Sequence, residues 1–330
     1  AARANYRLDE TLIEVTAHHP SRAIVLIEDE EASGPSLNSW VTSRCTLPTA
    51  HTRQVCCEQI TIKASRDKVR EAPSAISSLI LADLPVFLWW RERLRPSDAL
   101  FRRCTSLSDR LLIDTAKADF AEDGFAEIVQ FMQTHPRVPI ADLNWTRLLT
   151  WRSVLAGFYD AADHRRALDA LEEVDISYHA DADAGLTPRA LYLGCWLASR
   201  LGWQLNRNRA TRDHSGARFS FSHRGREIVV LLRAVHGESD RVGHLNQVSL
   251  KCGLTAGQSS SFSVSKTADG RRLAASVTLE GVKRPERILG YDQWNDSSLL
   301  AVELEGVARD RVFEQAALLA NEMIQSIPES

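Results

Sequence analysis

The chain has 330 residues, of which 44% are apolar and 25% are charged, a composition typical of a globular protein with a full hydrophobic core. The formal net charge of −3 argues against an overall attraction to nucleic acid or to an anionic membrane. No segment approaches the ~20 consecutive apolar residues of a membrane-spanning helix, and the first residues lack the apolar core of a signal peptide, so we expect a cytoplasmic protein.

The first half of the chain alternates between predicted strands and predicted helices. The run Ala23–Ile27 is continuously apolar, which is typical of a strand buried on both faces, and Ile60 and Ile62 alternate with polar residues in another strand. Strands separated by helices indicate an α/β N-terminal domain with a mostly parallel sheet, which we place at residues 1–160. The predicted strands lie at residues 21–27, 40–45, 58–64, 85–90 and 111–113, and the predicted helices begin near residues 73, 97 and 124.

The stretch Asp142–Asp160 is predicted to form one helix, followed by a domain junction in the charged, alanine-rich segment Ala161–Glu173. Thr187 and Pro188 are a typical helix start, and the following residues are apolar nearly all round, which predicts a central helix. Alternating strands and a hairpin signal at Asp269–Gly270 follow. Residues 161–330 are therefore predicted to be an α+β domain with an antiparallel sheet and C-terminal helices.

Common catalytic motifs are missing from the sequence. It contains no GxGxxG fingerprint, no GxxxxGK[ST] phosphate loop, no HExxH and no GxSxG. We therefore predict no catalytic residue, no cofactor and no metal site, and a binding function rather than an enzymatic one.

Arginines are concentrated between Arg207 and Arg241, where eight of them accompany four acidic residues. A solvated surface with arginine stems over apolar residues is one interpretation. Docking of an acidic partner or of a phosphorylated ligand is another, and the latter leaves open a sugar-phosphate-binding enzyme that uses this C-terminal half. Nucleic-acid binding would need the same arginines, and the net charge argues against it.

Six cysteines lack the spacing of a zinc site and are too sparse for a secreted disulfide scaffold, so reduced thiols are expected. Cys56 and Cys57 are adjacent on a predicted strand, and Cys45 ends the preceding one. Because neighbouring residues of a strand point to opposite faces, at most one of the pair can bridge to Cys45. Both a thiol switch and simple core packing fit this pattern.

Two clusters of tryptophan and arginine are typical either of core packing or of anchors in a protein interface. The first cluster is Trp89, Trp90 and Arg91, and the second lies within residues 144–152. The candidate partner-binding residues are Trp89, Trp90, Arg91, Asn144, Trp145, Arg147, Trp151 and Arg152.

Five sequence blocks together resemble the OpcA family of glucose-6-phosphate dehydrogenase assembly factors. They occur in family order, and the Leu-Pro-Val-Phe-Leu-Trp-Trp and Asp-Leu-Asn-Trp-x-Arg blocks are distinctive. The vicinal cysteines resemble versions found in photosynthetic bacteria, and the last third of the chain matches less well. The blocks are residues 19–22, 55–61, 82–90, 140–148 and 193–201.

This resemblance implies a non-catalytic partner of glucose-6-phosphate dehydrogenase that promotes assembly and allosteric activation of the active oligomer. It also implies redox-linked control of the oxidative pentose phosphate pathway, with thioredoxin as a further partner and Cys45, Cys56 and Cys57 as redox candidates. Neither nucleic acid nor a membrane is expected as a partner.

Overall fold

The computed structural model describes residues 2–46, 55–117, 122–180, 185–236, 242–253, 259–291 and 294–328. The chain divides into two compact units, each assembled from three segments. Unit 1 consists of Ala1–Ile113, Thr134–Leu143 and Trp294–Arg309, and unit 2 of Asp114–Gln133, Asn144–Gln293 and Asp310–Ser330. The single boundary at residue 160 that the sequence pattern indicates stays a prediction.

The first sheet of unit 1 has three strands in the order β1-β3-β2, where β3 is parallel to β1 and antiparallel to β2. The central strand is the buried one, with Ile62 2% exposed and Ala64 fully buried. Its apolar residues face the core because a strand alternates its side chains between two faces. The strands are β1 (Arg22–Asp29), β2 (Leu37–Thr46) and β3 (Val55–Ser65).

The second sheet of unit 1 is entirely parallel, in the order β4-β5-β6. Every residue of its central strand is buried, as the apolar run Leu111–Ile113 predicts. Asp98 caps a neighbouring helix by accepting a hydrogen bond from the Phe101 amide at 2.9 Å. The elements are β4 (Phe87–Trp89), β5 (Arg110–Ile113) and β6 (Ile140–Asp142), with helices α1 (Ala2–His18), α2 (Ala72–Leu79), α3 (Ala99–Thr105) and, near the C-terminus, α9 (Asp296–Glu303).

The predicted mostly parallel sheet is therefore confirmed in part, since one sheet of unit 1 is all parallel and the other is mixed. A core in unit 1 is formed by side chains from α1, β5, β6 and α9 and by Leu143, the residue that follows β6. Its buried members are Val15, Leu112, Ala141, Leu143, Leu299 and Leu300.

Unit 2 is built on a sheet of ten strands in the described part of the chain. The main path runs β15-β14-β13-β12-β7-β11-β10-β8, while β16 pairs with β14 and β9 pairs with β10. The strands are β7 (Leu171–Ala180), β8 (Gln204–Leu205), β9 (Thr211–Asp213), β10 (Gly216–His223), β11 (Arg226–His236), β12 (Leu245–Cys252), β13 (Ser260–Lys266), β14 (Arg272–Leu279), β15 (Val282–Lys283) and β16 (Arg287–Gly290).

The prediction of an antiparallel sheet was wrong at one pairing, because β7 and β11 run parallel. The chain leaves β7 through helix α8 (Pro188–Leu201) before it returns, and such a crossover brings the later strand back in the same direction. Helix α8 is buried over most of its length, as its apolar sequence predicts, and Gly202 ends it in the left-handed conformation (φ +69°).

The remaining helices belong to unit 2, apart from the last residue of α4 (Gly124–Thr134) and the first residue of α5 (Leu143–Thr146). The prediction of one helix over Asp142–Asp160 was wrong, because β6 ends at Asp142 and two short helices follow, separated by Arg147 and Leu148. Helix α10 packs against α8. The helices are α4 (Gly124–Thr134), α5 (Leu143–Thr146, whose first residue is in unit 1), α6 (Leu149–Gly157), α7 (Ala162–Leu168) and α10 (Arg311–Gln325).

None of the helices within the described ranges is at once long enough and apolar enough to cross a lipid bilayer.

Candidate functional site

Asn144 is an interior residue at the centre of a hydrogen-bond chain in unit 2. Its side chain is 1% exposed. The Asn144 amide nitrogen donates to Thr115 Oγ1 at 3.1 Å, and its amide oxygen accepts from Arg189 Nε at 2.6 Å. A buried amide held on both sides fixes the position of both partners, since leaving either group without a hydrogen bond would cost stability.

Trp145 is also an interior residue, with 3% of its surface exposed. Its indole nitrogen donates to Asp310 Oδ2 at 2.9 Å, and its ring packs edge to face on Tyr192 with 5.8 Å between centroids. The guanidinium carbon of Arg152 lies 3.8 Å from the Trp145 ring centroid, which is close enough for a cation–π interaction. Trp145 thus joins α5 to the α8 and α10 helices within unit 2.

Arg147 forms a two-point ion pair with Asp114, with nitrogen-to-oxygen distances of 2.6 and 3.0 Å. Only 14% of the Arg147 side chain and 7% of the Asp114 side chain are exposed. This geometry is the strong, oriented kind of arginine–carboxylate contact. The ion pair ties the α5–α6 connection to the residue that follows β5.

Trp151 is 1% exposed and packs edge to face on Tyr291 at 6.3 Å. A buried side chain offers no surface to another protein, so the core interpretation applies to Asn144, Trp145 and Trp151. Arg147 and Arg152 are only partly exposed. The second tryptophan–arginine cluster is therefore built mainly into the interior of the protein.

The first cluster lies in unit 1 and is half-buried. Trp90 packs edge to face on Phe101 at 5.0 Å, and its indole nitrogen donates to the Arg93 carbonyl at 3.3 Å. The Arg91 guanidinium carbon lies 5.0 Å from the Trp89 ring centroid. These two indoles keep partly accessible surface, so their role as docking anchors stays a prediction.

The strand register places Cys45 opposite Cys56 and Arg44 opposite Cys57. Directly opposed residues of antiparallel strands have Cα atoms about 4.5–5.5 Å apart, within the range that a disulfide spans. Cys57 is buried and free, and its thiol donates to the Thr16 carbonyl at 3.4 Å. Of the two vicinal cysteines, Cys56 is thus the one that the register aligns with Cys45, and the bridge stays a prediction.

Three other cysteines are buried and free, and burial raises the pKa of each thiol. The pKa rises to about 11 for Cys104 and to about 12 for Cys252, and it lies well above the usual value for Cys195. Because the thiolate is the reactive form, these three side chains are core residues rather than reactive thiols.

Several arginines of the arginine-rich segment form ion pairs within unit 2. Arg207 contacts Glu322 at 2.9 Å, Arg209 contacts Glu227 at 3.2 Å, and Arg212 contacts Glu122 at 2.7 Å. Arg233 pairs with Asp175. Arginines neutralised by neighbouring carboxylates favour the solvated-surface interpretation over a nucleic-acid-binding surface.

The sequence patterns did not indicate a cluster around His244 in unit 2. Lys266 Nζ lies 3.4 Å from His244 Nδ1 and 5.1 Å from the Tyr291 ring centroid. Burial, together with the nearby Arg189, Lys266, Arg147 and His179, lowers the pKa of His244 to about 3. No motif joins these residues, because strand register and helix α8 bring them together. Among the described residues, no group of three or more His, Cys, Asp or Glu side chains could hold a metal ion.

The fold and these contacts define a two-unit protein that combines a small parallel sheet with a large mixed sheet and keeps its distinctive tryptophan–arginine motif in the interior. The family matches agree on one assignment. Residues 13–130 match the model described as the N-terminal domain of a glucose-6-phosphate dehydrogenase subunit, and residues 138–317 match its C-terminal domain. The chain therefore belongs to the OpcA family, which confirms the predicted family.

Two cyanobacterial relatives are described as OxPP cycle proteins named OpcA. The protein of Nostoc punctiforme is 26% identical over 314 residues, which is 92% of this chain and 65% of the relative. The protein of Synechocystis is 26% identical over 325 residues, which is 94% of this chain and 65% of the relative. This chain thus spans slightly less than two thirds of the length of those relatives.

Several solved structures match this chain at low similarity. Levoglucosan dehydrogenase in complex with NADH and L-sorbose gives a TM-score of 0.46 at 11% identity, covering 81% of this chain and 82% of that one. A dehydrogenase, MviM, from Clostridium difficile gives 0.41 at 9% identity, covering 79% and 88%. Scores this low support no inference about a reaction.

Proposed function

We propose that this chain binds glucose-6-phosphate dehydrogenase in the cytoplasm and promotes assembly and allosteric activation of its active oligomer. The observation that carries the proposal is the match of both parts of the chain to domains described as belonging to a subunit of that enzyme. The chain itself catalyses no reaction in this account. Its missing catalytic motifs are compatible with such a role.

The physical mechanism requires only a difference in affinity. A protein that binds the assembled oligomer more tightly than the separate subunits shifts the equilibrium toward the oligomer. Rigid apolar anchors on an accessible surface are sufficient for this, and no nucleophile or proton donor is needed.

Unit 1 offers the more suitable anchors among the described residues. Trp89 and Trp90 are half-buried. Strand β2 lies at the edge of its sheet and exposes Trp40 (46%) and Val41 (64%). An edge strand that lacks charged residues from 37 to 43 has none of the usual protection against pairing with another chain. We therefore place the docking surface on β2, with Trp89 and Trp90 of unit 1 as further candidate anchors.

Redox control is a separate part of the proposal. A two-electron oxidant would remove two electrons and two protons from the thiols of Cys45 and Cys56 and join them across β2 and β3, and the dithiol of thioredoxin would reduce the bond by thiol–disulfide exchange and itself become a disulfide. The bridge would rigidify the end of β2 beside the proposed docking surface. Mass spectrometry of alkylated peptides from the oxidised chain should find Cys45 linked to Cys56, whereas a link through Cys57 would contradict the register argument.

The docking proposal is tested by size-exclusion chromatography of this chain mixed with glucose-6-phosphate dehydrogenase from the same organism. We expect co-elution and a higher activity at limiting substrate. A chain carrying Trp40→Ser and Val41→Ser should lose both effects, whereas Leu318→Ser should keep them, because Leu318 is similarly exposed (42%) but lies on α10 of unit 2. Equal loss in both variants would contradict the placement on β2, and no co-elution of the native chain would contradict the function.

A further inference from the structure

Strand β2 turns alternate backbone groups toward β3 and away from it. Ser36 and Ser65 form the pair next to Leu37 and Ala64 in the register of the two strands. The Ser65 amide donates to the Ser36 carbonyl at 2.9 Å, and the Ser36 amide donates to Ser65 Oγ at 3.0 Å, so Ser36 turns both of its backbone groups toward β3. Every second residue after it does the same, because the backbone groups of an antiparallel strand alternate in direction. The residues that face β3 are Asn38, Trp40 and Thr42, and those that face away from it are Leu37, Ser39, Val41 and Ser43.

The outward-facing backbone groups of β2 form a free edge. Among the described residues, β3 is the strand that pairs with β2, and β2 is the last strand of its sheet. Each outward residue contributes one N–H and one C=O group, and successive outward residues are about 6.8 Å apart at the usual rise of a strand. On an edge strand such groups are open to water. If a partner buried them without offering hydrogen bonds, the complex would lose the free energy of their hydration.

Apolar side chains stand on both faces of this free edge. The exposed Val41 lies opposite the buried Ile60 in the register, so the apolar surface of β3 continues outward to Val41. Leu37 is exposed on the same face, and Trp40 is exposed on the opposite face. A partner that covers both Val41 and Trp40 must therefore lie along the edge and cover the backbone between them.

The shape of the partner follows from those backbone groups. An α-helix satisfies its own backbone groups internally, so a docked helix would bury the outward groups of β2 without hydrogen bonds. An extended segment carries donors and acceptors at the same two-residue spacing and can pair with all of them. The free edge therefore fits a strand and not a helix.

The charges beside the free edge indicate an uncharged segment. Residues 37–43 carry no charged side chain. On β3, Glu58 pairs with Arg22 at 2.8 Å. Lys63, on the same strand, pairs with Asp29 at 2.8 Å. A charged side chain opposite Val41 would lose its hydration without gaining a counter-ion, whereas β-branched and aromatic side chains fit such a cross-strand position.

We propose that glucose-6-phosphate dehydrogenase docks by adding an uncharged extended segment of about seven residues to β2, as a fourth strand beside the three that the structure describes. The segment pairs its backbone with the outward-facing groups of β2 and packs β-branched or aromatic side chains against Val41 and Trp40. This inference rests on the proposed function, which brings the enzyme to β2, and it adds the mode of contact.

Proline at an outward-facing position tests the backbone pairing separately from the side chains. Ser39→Pro removes one outward N–H and keeps the hydrogen bonds between β2 and β3, since an edge strand tolerates proline where its nitrogen faces solvent. The Kd for the dehydrogenase, measured by bio-layer interferometry, should rise roughly 10-fold or more, because a carbonyl of the partner loses its donor. Ser39→Ala is the matched control: it removes only the hydroxyl, and its Kd should stay within about twofold.

Thermal unfolding of two proline variants checks the direction of the backbone groups. Ser39→Pro should unfold close to the native temperature. Thr42→Pro should unfold at a lower temperature, because the Thr42 amide faces β3 and its hydrogen bond within the sheet is lost. Equal destabilisation by the two substitutions would contradict the alternation and overturn the proposal.

Amide hydrogen exchange of the native chain keeps the test independent of how the variants fold. In the free chain, the amides of the inward-facing residues of β2 should be protected and those of the outward-facing residues should exchange fast. Binding of the dehydrogenase should slow exchange at Ser39, Val41 and Ser43 by roughly tenfold or more. Unchanged exchange at these three amides in the complex would overturn the proposal.

The outcomes separate this proposal from the proposed function. If the native chain does not bind the dehydrogenase, the proposed function fails, and the inference that rests on it fails as well. If Trp40→Ser with Val41→Ser abolishes binding but Ser39→Pro binds as tightly as Ser39→Ala, the docking surface stands and strand addition is overturned. If sedimentation velocity of the chain alone shows a dimer that Ser39→Pro dissociates, the free edge belongs to a second copy of this chain, which would also overturn the proposal.

Discussion

Substitution of Trp145 by phenylalanine tests whether this indole stabilises the fold rather than a complex. The change removes the hydrogen bond from the indole nitrogen to Asp310, a contact to a carboxylate worth about 1.5–3 kcal/mol. It also weakens the interaction of Arg152 with the ring, worth about 0.5–2 kcal/mol. Because Trp145 is 3% exposed, contact with water cannot compensate for the lost hydrogen bond. We expect a loss of about 2–4 kcal/mol in the free energy of unfolding, allowing for overlap between the two contributions.

The assay is urea denaturation followed by far-ultraviolet circular dichroism, with the free energy of unfolding taken from linear extrapolation. The control is Trp40→Phe on β2, where the indole is 46% exposed and the change should stay within about 0.5 kcal/mol. If Trp145→Phe unfolded at the same urea concentration as the native chain but bound the partner less well, the interior assignment of Trp145 would be refuted.

Three further predictions concern stability. Glu303→Gln should lower the free energy of unfolding by about 3–5 kcal/mol, because the Arg110 side chain, 9% exposed, loses the charge of a buried carboxylate 2.6 Å away. Glu322→Gln, which affects the exposed ion pair with Arg207, should lower it by less than about 1 kcal/mol. Equal losses in urea denaturation would contradict this prediction. Lowering the pH from about 6.5 to about 3 should destabilise the chain in part through His244, because the unfolded chain binds a proton there that the folded chain does not. His244→Gln should reduce that loss by about 1–2 kcal/mol after allowance for solvent screening, and an unchanged pH profile would argue against it. Gly216→Ala should lower the free energy of unfolding by more than about 2 kcal/mol in thermal denaturation, since φ is +141° and a Cβ would lie 1.9 Å from the Leu232 carbonyl oxygen. A loss below about 0.5 kcal/mol would argue against that geometry.

The local elements of the fold could be predicted well where one physical signal dominates. The apolar run Leu111–Ile113 is buried on both faces in β5, and Thr187-Pro188 begins helix α8. The segment Asp142–Asp160 misled the helix prediction, because its first residue belongs to β6 and tertiary pairing overrode the helical pattern.

Strand pairing was less accessible to prediction. The parallel register of β7 and β11 follows from the long connection through α8, and alternation within each strand carries no information about its partner. A series of strands with hairpin signals therefore looked antiparallel throughout. The one parallel pairing, between β7 and β11, makes the sheet mixed rather than antiparallel, although the alternation of apolar and polar residues within each strand is unaffected.

In the candidate site, the residue types could be read from the sequence, but their positions in the fold could not. The motif around Asn144, Trp145 and Arg147 was visible in the sequence, yet its composition is the same whether an indole packs inside or faces a partner. His244 and Lys266 lie 22 residues apart and meet only through the register of β12 and β13. No spacing rule would have joined them to Arg189 on a helix.

Mass photometry of glucose-6-phosphate dehydrogenase across a dilution series, with and without this chain, tests the central claim of oligomer assembly most directly. If the chain binds only the oligomer, a concentration 100 times its dissociation constant should stabilise each occupied site by about 2.7 kcal/mol, which moves the dissociation midpoint of the enzyme to lower concentration by roughly two orders of magnitude per site. A midpoint that does not move when the chain is present would contradict the account.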